Sequence, residues 1–137
     1  MEQHSYGFML KTPLSYEEAL AGVTAALKTE GFGILTEIDV QATLKQKLGA
    51  EVAPYKILGA CNPPLAHRAL SDEPEIGLLL PCNVIVYVDA AGRTTVSAIN
   101  PEAQFTVVGR AELAPLAREV GERLRRALAQ LPALETQ

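Results

Sequence analysis

The chain has 137 residues, 48% of them hydrophobic and 20% charged, with 12 Lys and Arg against 16 Asp and Glu for a formal net charge of −4. This length fits a single domain over residues 1–137, able to bury about 68% of the surface an unfolded chain exposes. The composition excludes a disordered chain and a disulfide scaffold, and a net acidic surface repels a phosphate backbone, so nucleic acid is not an expected partner.

Tyr6, Phe8 and Leu10 alternate within Ser5 to Leu10, which predicts a short half-buried strand. Ser15 stands three residues before Glu18, the spacing of a capping box, and Tyr16, Leu20, Val23 and Leu27 then form one apolar stripe. Gly31 follows as a left-handed cap residue. Gly33 to Ile38 is a second strand, and Asp39 caps a short helix bearing Val40, Leu44 and Leu48, which Gly49 and Pro54 end. A third strand covers Tyr55 to Ala60. Asn62 as N-cap and Pro63 as first helical residue then predict two helical turns over Leu65 to Leu70.

Ile76 to Val88 is apolar throughout and reads as a buried strand region, with Pro81 expected at a bulge or a sheet edge. At 13 residues it is too short to span a bilayer, so no membrane association is expected. Asp89-Ala-Ala-Gly92 is a turn, and Arg93 to Ile99 returns as a strand that Asn100-Pro101 breaks. From Ala111, the residues Leu113, Leu116, Val120, Leu124, Leu128 and Leu131 mark a long helix closed by Pro132, with Gly121 suggesting close approach to the sheet. Two long helices on one face of a largely antiparallel sheet make a two-layer α+β sandwich, β-α-β4-α with short helical inserts. The last two strands are joined by a turn too short for a parallel crossover.

Common catalytic signatures are absent. Gly31-Phe-Gly33 lacks the third glycine of a dinucleotide cradle and precedes a strand, and no GxxxxGK[ST], HExxH, CxxC or GxSxG occurs. His4 reads as a mobile terminal residue. Two similar tripeptides remain, Cys61-Asn62-Pro63 and Pro81-Cys82-Asn83, each placing Cys-Asn beside a proline in apolar surroundings. If their strands are neighbours, the sulfurs could converge with His67 on a soft metal, Zn²⁺ or Cu(I), or one thiolate at a helix N-terminus could do redox or sulfur-transfer chemistry. The competing reading is structural: free cysteines are commonly buried as small hydrophobes, Asn62 a helix cap and Asn83 a bulge residue. Two cysteines 21 positions apart are not a metal-ligand spacing.

Glu37 and Asp39 share a strand face, although Asp39 is needed as a cap and Glu37 is expected to face water. Arg118, Arg123, Arg125 and Arg126 interleave with Glu119 and Glu122 on a solvated helix face, with Glu119–Arg123 and Glu122–Arg126 expected as i,i+4 pairs.

The stretches Leu35-Thr-Glu-Ile-Asp-Val40, Tyr55-Lys-Ile-Leu-Gly-Ala-Cys61-Asn-Pro-Pro-Leu-Ala66 and Ile76-Gly-Leu-Leu-Leu-Pro-Cys82-Asn-Val-Ile-Val86 resemble the domain of unknown function 302 family, over about Tyr6 to Leu131. The resemblance implies a strand–helix–four-strand–helix arrangement of the TATA-box-binding-protein-like fold class, with no established activity and no DNA binding attached to that fold name. Cys61 and Cys82 fall on its motif positions, whereas His67 does not.

The function expected is therefore a non-enzymatic cytoplasmic domain that binds a small ligand or a protein at Cys61, Asn62, Cys82 and Asn83. No catalytic residue, cofactor or metal ligand is assigned. The alternatives are a thiol-dependent enzyme with Cys61 as nucleophile and a soft-metal-binding accessory protein. A homodimer is expected because a sheet edge or apolar face otherwise stays uncovered. No signal peptide is expected from the N-terminal residues, and two cysteines suit a reducing compartment.

Overall fold

The computed structural model describes residues 1–134, which build a six-stranded antiparallel sheet and its covering helices. The strands are β1 (Glu2–Gln3), β2 (Gly7–Thr12), β3 (Gly33–Asp39), β4 (Tyr55–Cys61), β5 (Cys82–Val88) and β6 (Thr94–Ile99), in the order β1-β2-β6-β5-β4-β3. The helices are α1 (Tyr16–Thr29), α2 (Val40–Leu48), α3 (Pro63–Asp72), α4 (Pro101–Thr106) and α5 (Ala114–Ala129). The expected β-α-β4-α order is present in β2, α1, β3 to β6 and α5, with α2, α3 and α4 as inserts. This is a two-layer α+β sandwich.

Side-chain alternation assigns one sheet face to the helices. Phe8, Ala98, Val84 and Leu58 stand in one cross-strand row, Leu10, Val96 and Val86 in the next, and all seven are buried. Against them α1 lays Ala19, Val23, Ala26 and Leu27, and α5 lays Leu116, Val120, Leu124 and Leu128. Full burial of a leucine such as Leu124 contributes about 1.5–3 kcal/mol, so this helix face, repeated along two helices, supplies the main driving force of the fold.

Local signals act where the sequence places them. The Ser15 hydroxyl accepts from the Glu18 amide at 3.1 Å and the Glu18 carboxylate from the Ser15 amide at 2.9 Å, a complete capping box. At the other end of α1, Gly31 takes φ 86°. Its amide donates to the Lys28 carbonyl, and the Phe32 amide donates to that of Leu27. This Schellman closure directs Phe32 into the core beside Leu27.

The expectations at Ile76, Pro81 and Gly121 are corrected, and that at Asn100-Pro101 is extended. Ile76 does not begin a strand: Pro74–Leu79 is a 3₁₀ segment that buries Ile76, and β5 starts only at Cys82. An apolar run does not distinguish a buried strand from a buried helical turn by itself, and Pro74, just before the run, favours the turn. Pro81 precedes β5 in a cis peptide with Leu80, and the bulge lies in β3 between Ile34 and Thr36. Asn100-Pro101 ends β6 but also opens α4, with the Asn100 side chain accepting from the Glu102 amide at 3.1 Å. Gly121 accordingly faces the start of this helix, where an added Cβ would sit 3.4 Å from Pro101 Cδ, rather than the sheet.

Candidate functional site

At the end of the sheet where β4 gives way to α3, the two layers leave a cavity of about 290 Å³. Leu65, Ala66, Ala69 and Leu70 of α3 form one wall, and Leu116 and Val120 of α5 with Phe105 of α4 form a second. Phe32, Leu35, Thr36, Leu80 and Pro81 complete it around Cys61, Asn62 and Cys82. The β3 bulge matters here. Ile34 pairs with Ala60 and Thr36 with Gly59, so Leu35 is an extra residue, and consecutive Leu35 and Thr36 both reach the cavity.

The two Cys-Asn motifs meet at this cavity only in part. β4 and β5 are neighbours, and Cys82 pairs with Ala60, one residue before Cys61. In a continued strand that offset would send the sulfurs to opposite faces. Because β4 ends at Cys61 and the chain turns into α3, both residues line the cavity. Both are free thiols. Asn83 is exposed and lines a groove on the opposite sheet face, with Tyr55, Ile85, Tyr87 and Ser97. His67 lies exposed on α3 and is not part of the cavity wall.

Asn62 is the polar joint of the site. Its Oδ1 accepts from the Leu65 amide at 3.4 Å, capping α3, while its Nδ2 donates to the Glu30 carbonyl at the end of α1 at 3.2 Å. Arg123 Nη1 of α5 donates to that same carbonyl at 3.3 Å, and Arg126 Nη2 binds the Glu30 carboxylate at 2.9 Å. One residue thus fixes α3 to α1, and Glu30 fixes both to α5.

Burial sets the state of the Cys82 thiol. Loss of hydration raises the Cys82 thiol to about 12, and the neighbouring Cys61 adds to the shift. Burial thus disfavours a Cys82 thiolate, the form that nucleophilic attack uses. Among the described residues, no three His, Cys, Asp or Glu side chains are grouped to hold a metal ion.

The remaining polar candidates have other tasks. Asp39 caps α2 through the Ala42 amide at 2.9 Å, and Glu37 pairs with Lys56 at 2.9 Å, raising the pKa of that lysine chiefly through the hydrogen bond. The α5 arginines reach across elements instead of pairing along their own helix. Arg126 takes Glu30, Arg118 takes Glu102 at 4.0 Å, and Arg125 stacks over Phe8 at 4.8 Å, while Glu119 faces Arg68 at 3.7 Å. The cavity's helical walls were not legible as a site. Ala66 and Ala69 read as ordinary helix formers, and the usable signal at Phe105 was Asn100-Pro101, the same pair type as Asn62-Pro63.

An antiparallel sheet covered by two long helices, with an apolar pocket where β4, β5 and α3 meet, defines the class as a small two-layer α+β domain. The family described as "Domain of unknown function DUF302" matches residues 8–131, and the chain belongs to it. It is also similar to a solved structure described as "uncharacterized conserved protein DUF302 from Bacillus stearothermophilus", at 28% identity and a TM-score of 0.86 over 91% of this chain and 97% of that one. No curated protein matches the chain. Among the described residues, no helix is long and apolar enough to cross a membrane.

Proposed function

We propose that this protein is a non-enzymatic binding domain whose site is the apolar cavity at Cys61, Asn62 and Cys82. The observation that carries the reading is the cavity itself. Its volume of about 290 Å³ lies at the small end of ligand pockets, and it is walled by aliphatic and aromatic side chains with few polar groups, as such pockets are. The thiol-enzyme alternative uses Cys61 as nucleophile, and among the described residues no basic side chain lines the cavity to activate it. Cys61, half-buried at the cavity wall, is read as a lining residue. The reading includes a cytoplasmic, homodimeric protein, checked by molar mass in solution from light scattering.

The test uses 1-aminonaphthalene, an uncharged two-ring fluorophore small enough for the cavity, whose emission shifts and brightens in apolar surroundings. Titration should saturate at one probe per chain and slow the alkylation of Cys61. Ala66→Phe, at a half-buried wall position, should abolish both effects, while Tyr87→Ser on the other sheet face should leave them intact. Binding that survives Ala66→Phe and disappears in Tyr87→Ser would move the site to the opposite groove and overturn the reading.

A further inference from the structure

The cavity wall also restricts what can occupy it. Among the described residues no ionisable side chain other than the two thiols lines it. Its polar side chains are those of Thr36, Asn62 and the cysteines. Asn62 already spends its oxygen on the Leu65 amide and its nitrogen on the Glu30 carbonyl, so it turns no free pair of donors inward. The mouth is no more polar, since Leu35 is 67% exposed and Leu70 40% exposed, both at the cavity rim. Isolated exposed leucines need no explanation, but two at the opening of an apolar cavity extend its lining to the surface.

Resting on the binding reading above, we infer that the ligand is an uncharged, largely aliphatic molecule of roughly ten non-hydrogen atoms, held with its length inside the cavity. The size follows from about 30 Å³ for each water-sized group within about 290 Å³. The charge follows from the walls: an ion drawn inside loses its hydration and meets no counter-charge. The Cys82 thiol reports the same medium from within the protein, since burial there already suppresses formation of an anion. A charged amphiphile must leave its head in water beyond Leu35 and Leu70. That withdraws one or two methylenes from the cavity, each worth about 0.8 kcal/mol, or roughly fourfold in affinity.

The experiment displaces bound 1-aminonaphthalene with 1-alkanols, alkanoates and alkylamines of six to fourteen carbons at neutral pH. Alkanol affinity should rise roughly fourfold per methylene up to about ten carbons and then level off. Decanoate and decylammonium should both bind roughly four- to sixteenfold more weakly than decanol. Decanoate or decylammonium matching decanol, or alkanol affinity still climbing at fourteen carbons, would overturn the inference and leave the cavity as a binding site of different selectivity. Failure of the fluorophore to bind at all would instead remove the binding reading, and this inference with it.

Discussion

Replacing Asn62 by alanine tests the joint between α1 and α3 at the cavity wall. The substitution removes the cap bond to the Leu65 amide, an effect of about 1 kcal/mol, and the bond to the Glu30 carbonyl, a further 1 kcal/mol or so. The larger cost of a fully orphaned carbonyl is avoided, because Arg123 Nη1 still reaches the Glu30 oxygen. The expected loss is therefore about 2 kcal/mol, a fall in Tm of roughly 6–10 °C for a domain of this size. Asn100→Ala is the reference, since Asn100 contributes the same kind of cap to α4 through the Glu102 amide. It should cost about 1 kcal/mol, half the fall in Tm. Asn62→Asp keeps a cap oxygen but loses the donor to Glu30, so it should fall between Asn62→Ala and the unmodified protein. Thermal and urea unfolding of the four proteins, followed by circular dichroism, measure these differences. An Asn62→Ala loss no greater than that of Asn100→Ala would refute the bridging role. So would full retention of stability in Asn62→Asp.

Three further outcomes are expected. The Cys82 thiol has a folded pKa of about 12 against an ordinary value of 9.0, so between those pH values the folded chain keeps a proton that the unfolded chain has lost, and stability falls as pH rises. At pH 10 the loss is on the order of 1 kcal/mol, and Cys82→Ala should flatten this part of the urea-midpoint profile. Asp89 is held down to about 2, first by the Lys11 ammonium at 2.8 Å and then by the Arg93 and Ala91 amides. Its contribution is present above the ordinary carboxylate pKa and disappears as pH falls towards 2. Asp89→Asn, which retains an oxygen for the turn, should therefore weaken the loss of stability between pH 4 and 2. A Cβ on Gly59 would lie 2.1 Å from Thr36 Oγ1 and 2.8 Å from the Pro81 ring. Gly59→Ala should thus cost about 1–3 kcal/mol in chemical unfolding and weaken fluorophore binding by shifting the cavity wall.

Much of the fold was legible because it is written in local terms. The Ser15–Glu18 capping box, the Asp39 and Asn62 caps and the stripe along α5 each depend on residues a few positions apart, and each forms as spaced. Legibility failed where one pattern serves two structures. The run from Ile76 is apolar whether it is strand or 3₁₀ turn, and an Asn-Pro pair can both end a strand and start a helix. For the site, Cys61, Asn62 and Cys82 were identifiable as unusual residues, but Asn83 follows the alternation of β5 to the other face.

By itself, the sequence determined the helices with their caps, the faces they bury, the β-α-β4-α order and the family motifs, because periodicity and capping act over a few residues of chain. Tertiary structure alone decided that β4 and β5 lie side by side, that the β3 bulge and the turn into α3 open a cavity there, and that its walls bury Cys82 deeply enough to raise its thiol pKa. Those features depend on groups distant in sequence and on the dielectric they jointly create, which no spacing of residues along the chain encodes.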